Sequence, residues 1–295
     1  MKYIVIGATG NTGRIVASEL LKVEKSVRAV GRNADKLAPL GKSGAETIVA
    51  DVQNPDDMKR AFESIDAAYV MIPPNFAASN FRKYQDEVTD NITDAMAANG
   101  TKFVVSLSSV GADQPSGVGP VNGLHYMERQ FDGIPDLNTL HIRAGFFMEN
   151  LLGSLSMIKN MGIYGSASPG EAPWPLIATS DIGLYSAQRL IALNFEGKNV
   201  QYLLGPHDVS GNETAAILGK VLGIKKLPYV SFSMSDMKKG LLSAGMPEQI
   251  ADNFCELFEG FDNGLMAYHR DAGSTTKTNL EEFAKRALKP VFDAM

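Results

Sequence analysis

The segment Gly7-Ala8-Thr9-Gly10-Asn11-Thr12-Gly13 has the residue types and spacing best suited to chemistry in this 295-residue chain. It follows the apolar run Tyr3-Ile4-Val5-Ile6 directly, and Ile15, Val16, Leu20 and Val23 come after it at helical spacing. A strand, a glycine turn and a helix in that order aim the free N–H groups and partial positive charge of the helix start at one point, where a phosphate can be held. Gly7 would let the chain leave the strand in a tight turn, Gly10 would admit a pyrophosphate, and Gly13 would let the helix pack against the sheet. Asn11 and Thr12 suit a helix start and bring donors for phosphate oxygens. The turn implies a bound dinucleotide.

The end of the second apolar run bears on which dinucleotide. A site for NAD usually ends that strand with an acid on the ribose 2′-hydroxyl. Here the chain reads Val30-Gly31-Arg32-Asn33. Arg32 would fork onto a 2′-phosphate, with Asn33 or Lys36 adding a contact. NADP(H) is the expected cofactor and NAD(H) the alternative. Asp51, after the third run, has two readings: it accepts a hydrogen bond from the adenine amino group, or it forms a turn ahead of Asn54-Pro55.

These residues need a scaffold, and the chain spells one out. Strands are expected at 3–6, 26–30, 46–50, 67–72, 102–106 and 138–142, separated by helical patterns. The longest helix carries Phe81, Tyr84, Val88, Ile92 and Met96 on one face and stops at Asn99-Gly100. Short β-branched runs alternating with helices indicate βαβ units and a parallel sheet buried on both faces. From Phe146 the alternation breaks down around Pro169, Pro173 and Pro175, then a helix over 181–193 and a strand over 200–204 return. The expected fold is α/β, a Rossmann-type doubly wound parallel sheet with a smaller helix-rich C-terminal lobe. Residues 1–150 would form the dinucleotide-binding domain, with 176–210 returning to it; 151–175 and 211–295 would form the substrate-binding lobe. Its methionines and phenylalanines (Met234, Met237, Met246, Phe254, Phe258, Phe261) are core, or line a cleft for an apolar planar substrate.

Composition excludes several classes. A net charge of −5 with no basic run argues against nucleic acid. One cysteine, Cys255, excludes an internal disulfide and a cysteine-based zinc site, and no histidine cluster suggests another metal. No stretch is long and apolar enough to span a membrane, and Met1-Lys2 leads straight into a strand, so a cytoplasmic protein is expected.

Further motifs carry a family resemblance. Beside the glycine turn and Arg32 stand Pro73-Pro74, Ser106-Leu107-Ser108-Ser109-Val110-Gly111, Leu124-His125 with Glu128, Arg143-Ala144-Gly145-Phe146-Phe147-Met148-Glu149-Asn150, and Asp181-Ile182-Gly183. With these the chain resembles, over essentially its whole length, the NmrA-like family of atypical short-chain dehydrogenase/reductases. The resemblance implies cofactor contacts from Gly7, Thr9, Gly10, Asn11, Thr12, Gly13, Arg32 and Asp51. It implies that Pro73 lines the dinucleotide and that Ser108 lies near the nicotinamide. The segment from Gly145 to Asn150, Phe147 included, would form the floor between cofactor and substrate. The family includes reductases of quinones, azo compounds and phenylpropanoids, and regulators that bind NADP(H) without turning it over.

Ordinary short-chain dehydrogenases use Tyr-x-x-x-Lys, the lysine lowering the tyrosine pKa. Here the helix reads Tyr126-Met127-Glu128-Arg129-Gln130, with glutamine in the lysine position. An unassisted phenol, with a pKa near ~10, relays protons poorly at neutral pH. His125 is the better donor by intrinsic pKa, and Glu128, three residues on, can reach its imidazole. That pair either relays a proton or is structural. His125, Tyr126 and Glu128 are the candidate catalytic residues. A strong dinucleotide half and a weak acid–base half suit electron-poor acceptors better than simple ketones. Two functions remain: an NADPH-dependent oxidoreductase acting on a quinone, azo compound or similar small molecule, or a catalytically silent NADP(H) sensor that regulates a protein partner.

Overall fold

A computed structural model describes residues 1–295. From the N-terminus the chain forms β1 (Lys2–Ile6), α1 (Asn11–Lys22), β2 (Ser26–Gly31), α2 (Ala34–Lys42), β3 (Glu46–Val49), α3 (Pro55–Phe62), β4 (Ala67–Val70) and α4 (Phe81–Asn99). It continues through β5 (Phe103–Ser109), α5 (Asn122–Asp132), β6 (Asn138–Ala144), β7 (Phe146–Phe147), α6 (Leu155–Met161), β8 (Tyr164–Ser166), β9 (Pro173–Trp174), β10 (Leu176–Ile177) and α7 (Thr179–Ala192). The last elements are β11 (Lys198–Leu203), β12 (Val209–Ser210), α8 (Gly211–Leu222), β13 (Tyr229–Ser231), α9 (Met234–Ser243), α10 (Glu248–Asp262), α11 (Leu280–Phe283) and α12 (Lys289–Ala294).

Two compact units divide the chain. The first comprises Met1–Pro115, Pro120–Arg143 and Ile182–Gln201; the second comprises Ser116–Gly119, Ala144–Asp181 and Tyr202–Met295. The first unit thus runs to Arg143, apart from Ser116–Gly119, and Ile182–Gln201 returns to it.

The first unit is built on a seven-stranded parallel sheet in the order β11-β6-β5-β4-β1-β2-β3. The order reverses between β1 and β4, which puts a crevice beyond their carboxyl ends. Helices cover both faces, so Ile4, Val5, Ile6, Ala67, Ala68 and Tyr69 are fully buried and the central strands read as unbroken apolar runs. Asparagine side chains start the helices on this scaffold: Asn33 caps α2, Asn54 caps α3 ahead of Pro55, and Asn80 caps α4. Gly100, at φ 63°, ends α4 in the left-handed conformation.

In the second unit three two-stranded sheets, β10-β7, β12-β9 and β13-β8, accompany the helices. Leu151, Leu155, Leu176, Leu218, Phe283 and Leu288 pack its core. A capping box between Ser210 and Glu213 starts α8, the helix at the centre of that core.

Candidate functional site

Between β1 and α1 the chain turns through Gly7 at φ 68°, and the Gly10 N–H donates to the Gly7 carbonyl at 2.9 Å. A side chain at Gly7 would be strained whatever space it found. At Gly13 a Cβ would collide with the Gly7 carbonyl and crowd Ala8, so this glycine is required by the turn's own backbone rather than by helix–sheet packing. Gly10 differs: its backbone is extended (φ −82°, ψ 176°), and a Cβ there would meet only the Gly7 oxygen, at 3.3 Å. Protein does not fill the space beside Gly10.

The helix start is also open. Gly10, not Asn11 or Thr12, is the N-cap of α1, and no side chain caps it. The N–H groups of Asn11, Thr12 and Gly13 therefore lack the acceptor that asparagine supplies to α2, α3 and α4. No acidic residue occupies the first turn of α1. An oxyanion placed there would satisfy these donors and the helix dipole together. The Thr12 hydroxyl accepts from the buried Tyr69 hydroxyl at 2.8 Å and keeps its own proton free to donate.

At the carboxyl ends of β2 to β4, Arg32 and Asp51 are exposed and Thr9 packs against Gly31. One Asp51 oxygen accepts the Gln53 N–H at 3.0 Å, so the turn reading of this residue holds while its second oxygen stays available. The Asn33 side chain is committed to capping α2. Pro73 is tied to Tyr84, a residue that sequence reasoning placed only on the apolar face of α4. Burial pushes the Tyr84 phenol up to about 12, Arg32 opposing this and Asp51 adding to it, so the three side chains share one field.

On α5 the expected pairing is not the one found. Glu128 does not hold the His125 imidazole. Its Oε1 accepts from the Ser108 hydroxyl at 2.6 Å and from Arg143 Nε at 3.1 Å, and its Oε2 accepts from Arg143 Nη2 at 2.7 Å. Glu128 is 5 % exposed and Ser108 2 %. The three form a buried staple fastening α5 to the ends of β5 and β6. Ser108, expected beside the nicotinamide, thus gives its proton to the protein. The His125 ring is held instead by the Ala112 carbonyl, 2.8 Å from Nδ1. A carbonyl can only accept, so Nδ1 carries the hydrogen and Nε2 is the nitrogen left for proton exchange.

Tyr126 points elsewhere. Its hydroxyl donates to Asp90 on α4 at 2.8 Å and its ring lies under Arg82. The Asp90 hydrogen bond raises its pKa, the wrong direction for a proton relay. Ser106, His141 and Asp132 form a second chain under α5, with Ser106 Oγ 2.6 Å from His141 Nδ1 and Asp132 Oδ1 3.0 Å from Nε2. Both Ser106 and His141 are fully buried, so this chain holds β5, β6 and α5 together.

In the second unit, Gly145 and Phe147 sit at the β7 pairing. A Cβ on Gly145 would strike the Pro175 carbonyl, so this glycine lets β10 approach. Phe147 is half-buried. Nearby, Trp174 stacks on Phe261 (3.8 Å between centroids, 15°) and meets Phe258 at 5.1 Å and Phe146 edge-on at 5.3 Å. All four rings are only half-buried, an aromatic surface that sequence reasoning found in part through its phenylalanines. No group of histidine, cysteine, aspartate and glutamate side chains is arranged to hold a metal, and no helix is long and apolar enough to cross a membrane.

A family profile described as NAD(P)H-binding matches residues 7–131, which begin at the first glycine of the turn and end within α5. The NAD(P)H azoreductase of Xenophilus azovorans is 28% identical over 260 residues, 86% of this chain and 85% of that one. The NADPH-dependent quinone oxidoreductase of Escherichia coli, solved with NADPH, superposes with a TM-score of 0.82 at 23% identity, covering 98% of this chain and all of that one. A mutant NmrA superposes with a TM-score of 0.72 at 15% identity, over 99% and 97% of the two chains. Residues 7–131 are an NAD(P)H-binding domain on a Rossmann-type sheet, and over nearly its whole length the chain has the fold of the quinone oxidoreductase and of NmrA.

Proposed function

We propose that the protein is an NADPH-dependent reductase of small, electron-poor acceptors of the quinone or azo type. The observation that carries this is the contrast between a complete phosphate cradle and a missing tyrosine–lysine relay. The open start of α1 beside Gly10 fits a pyrophosphate, with Thr9 and Arg32 toward the 2′-phosphate, Asp51 toward the adenine and Pro73 along the dinucleotide. Tyr126 is bound to Asp90, and Gln130 stands four residues on. The azoreductase and quinone oxidoreductase relatives support the acceptor class.

When bound, NADPH supplies a hydride. The reduced acceptor needs one proton besides, and His125 is the group assigned to deliver it: the doubly protonated ring gives up its Nε2 proton and is left neutral, Nδ1–H staying on the Ala112 carbonyl. Quinones and azo bonds stabilise added electron density themselves, so one weak acid suffices where a ketone needs more. The aromatic surface at Trp174 gives the second unit affinity for planar apolar molecules.

Purified protein is expected to oxidise NADPH with simple quinones or azo dyes, and far more slowly with aliphatic ketones. His125→Ala should lower turnover by up to ~10²-fold and leave NADPH affinity nearly unchanged. No oxidation across a broad acceptor panel, with NADPH demonstrably bound, would replace this function with an NADP(H) sensor acting on a protein partner.

Arg32→Asp tests the cofactor preference. The parent should bind NADPH more tightly than NADH, and the variant should reverse the order, since losing a charge-assisted pair costs about 1.5–3 kcal/mol. Equal affinities of the parent for both cofactors would refute the assignment of Arg32.

A further inference from the structure

The connection from β4 to α4, residues 71–80, carries Pro73-Pro74 and Phe76 past the carboxyl end of the sheet without regular secondary structure. Its shape is set from α4. The Tyr84 hydroxyl donates to the Pro73 carbonyl at 2.6 Å. The Tyr84 ring stacks with Phe81 at 6.2 Å between centroids, and Phe81 in turn lies 5.7 Å from Phe76. One hydrogen bond and a three-ring ladder thus clamp both halves of this loop onto the first turn of α4, itself capped by Asn80. Phe76 is 39% exposed at the end of this ladder. Arg32 and Asp51, at the ends of the neighbouring strands β2 and β3, stand within electrostatic reach of the same phenol.

We infer that Tyr84 is a positioning residue for the adenosine end of the dinucleotide. Through the Pro73 carbonyl it fixes the β4–α4 connection as the wall opposite Arg32 and Asp51, and so sets the width of the opening that receives adenosine 2′-phosphate. Tyr84 does not touch the ligand. Its phenol, pushed up by burial, stays protonated at neutral pH, and because a carbonyl can only accept, it is the phenol that donates to Pro73. The inference rests on the dinucleotide site proposed above.

Tyr84→Phe removes one hydroxyl and keeps the ring ladder. Calorimetric titration should show NADPH and adenosine 2′,5′-bisphosphate both weakened by the same factor, about 3–10-fold, the size of one hydrogen bond. Hydrogen exchange should quicken in residues 71–80 and stay unchanged in α1. Phe76→Leu, at an exposed position, should weaken both ligands in the same direction by less. Unchanged bisphosphate affinity in Tyr84→Phe, or exchange that quickens throughout the first unit, would overturn the inference. Failure of the parent protein to bind either ligand would overturn the dinucleotide site itself, a separate result.

Discussion

Glu128→Ala should lower the stability of the protein by about 3 kcal/mol, the lower end of what breaking a buried ion pair costs. The substitution takes from the Arg143 guanidinium, 13% exposed, its 2.7 Å carboxylate partner and leaves Asp113 at 3.6 Å. That residual partner keeps the loss from the upper end of the range. Urea unfolding should show the midpoint fall with little change in slope. The double variant Glu128→Ala, Arg143→Met should recover more than half of the loss, because the penalty lies in the stranded charge and not in the missing contact. A loss under about 1 kcal/mol in the single variant would mean that water reaches the staple and that the pair is no more than a surface ion pair. The result also separates two roles for Glu128. Were it orienting His125, its removal would depress turnover with stability intact; as a staple it acts on stability first.

The dinucleotide turn was legible because it is local. Strand, glycines and helix follow one another within about two dozen residues, and period and composition alone define them. The parallel sheet was legible for the same reason, one βαβ unit at a time. Glu128 was misassigned because the sequence offers only neighbours at helical spacing, and His125 sits three residues away. Its true partners, Ser108 and Arg143, lie on two strands 20 and 15 residues distant, and strand register brings them together. Tyr84 was hidden by its own periodicity: it fits the apolar face of α4, and nothing in the sequence says that its hydroxyl meets Pro73. Two-residue strands such as Phe146–Phe147 and Leu176–Ile177 are too short to show alternation, and Pro175 directly precedes the second. Gly13 was recognised as necessary but for another contact, since a glycine reports that space is short and not what fills it.

That distinction yields the sharpest test of the site. Gly10→Val should weaken NADPH by at least about 10²-fold, equivalent to ~2.7 kcal/mol of binding energy, while the fold and its unfolding midpoint stay close to the parent's. The backbone at Gly10 is extended, a conformation that β-branched residues favour, and the added Cβ meets protein only at the Gly7 oxygen. The cost therefore falls on whatever occupies the open side, where the N–H groups of Asn11, Thr12 and Gly13 converge. Gly13→Val supplies the contrast: the same side chain three residues on would drive into the Gly7 carbonyl, so stability and binding should be lost together. Calorimetry with NADPH and thermal unfolding of both variants read the two effects separately. Normal NADPH binding by Gly10→Val would show that the phosphates lie elsewhere, and with them the proposed reductase site. Equal destabilisation of the two variants would show that Gly10, too, is a packing glycine, and that the opening beside it is not reserved for a ligand.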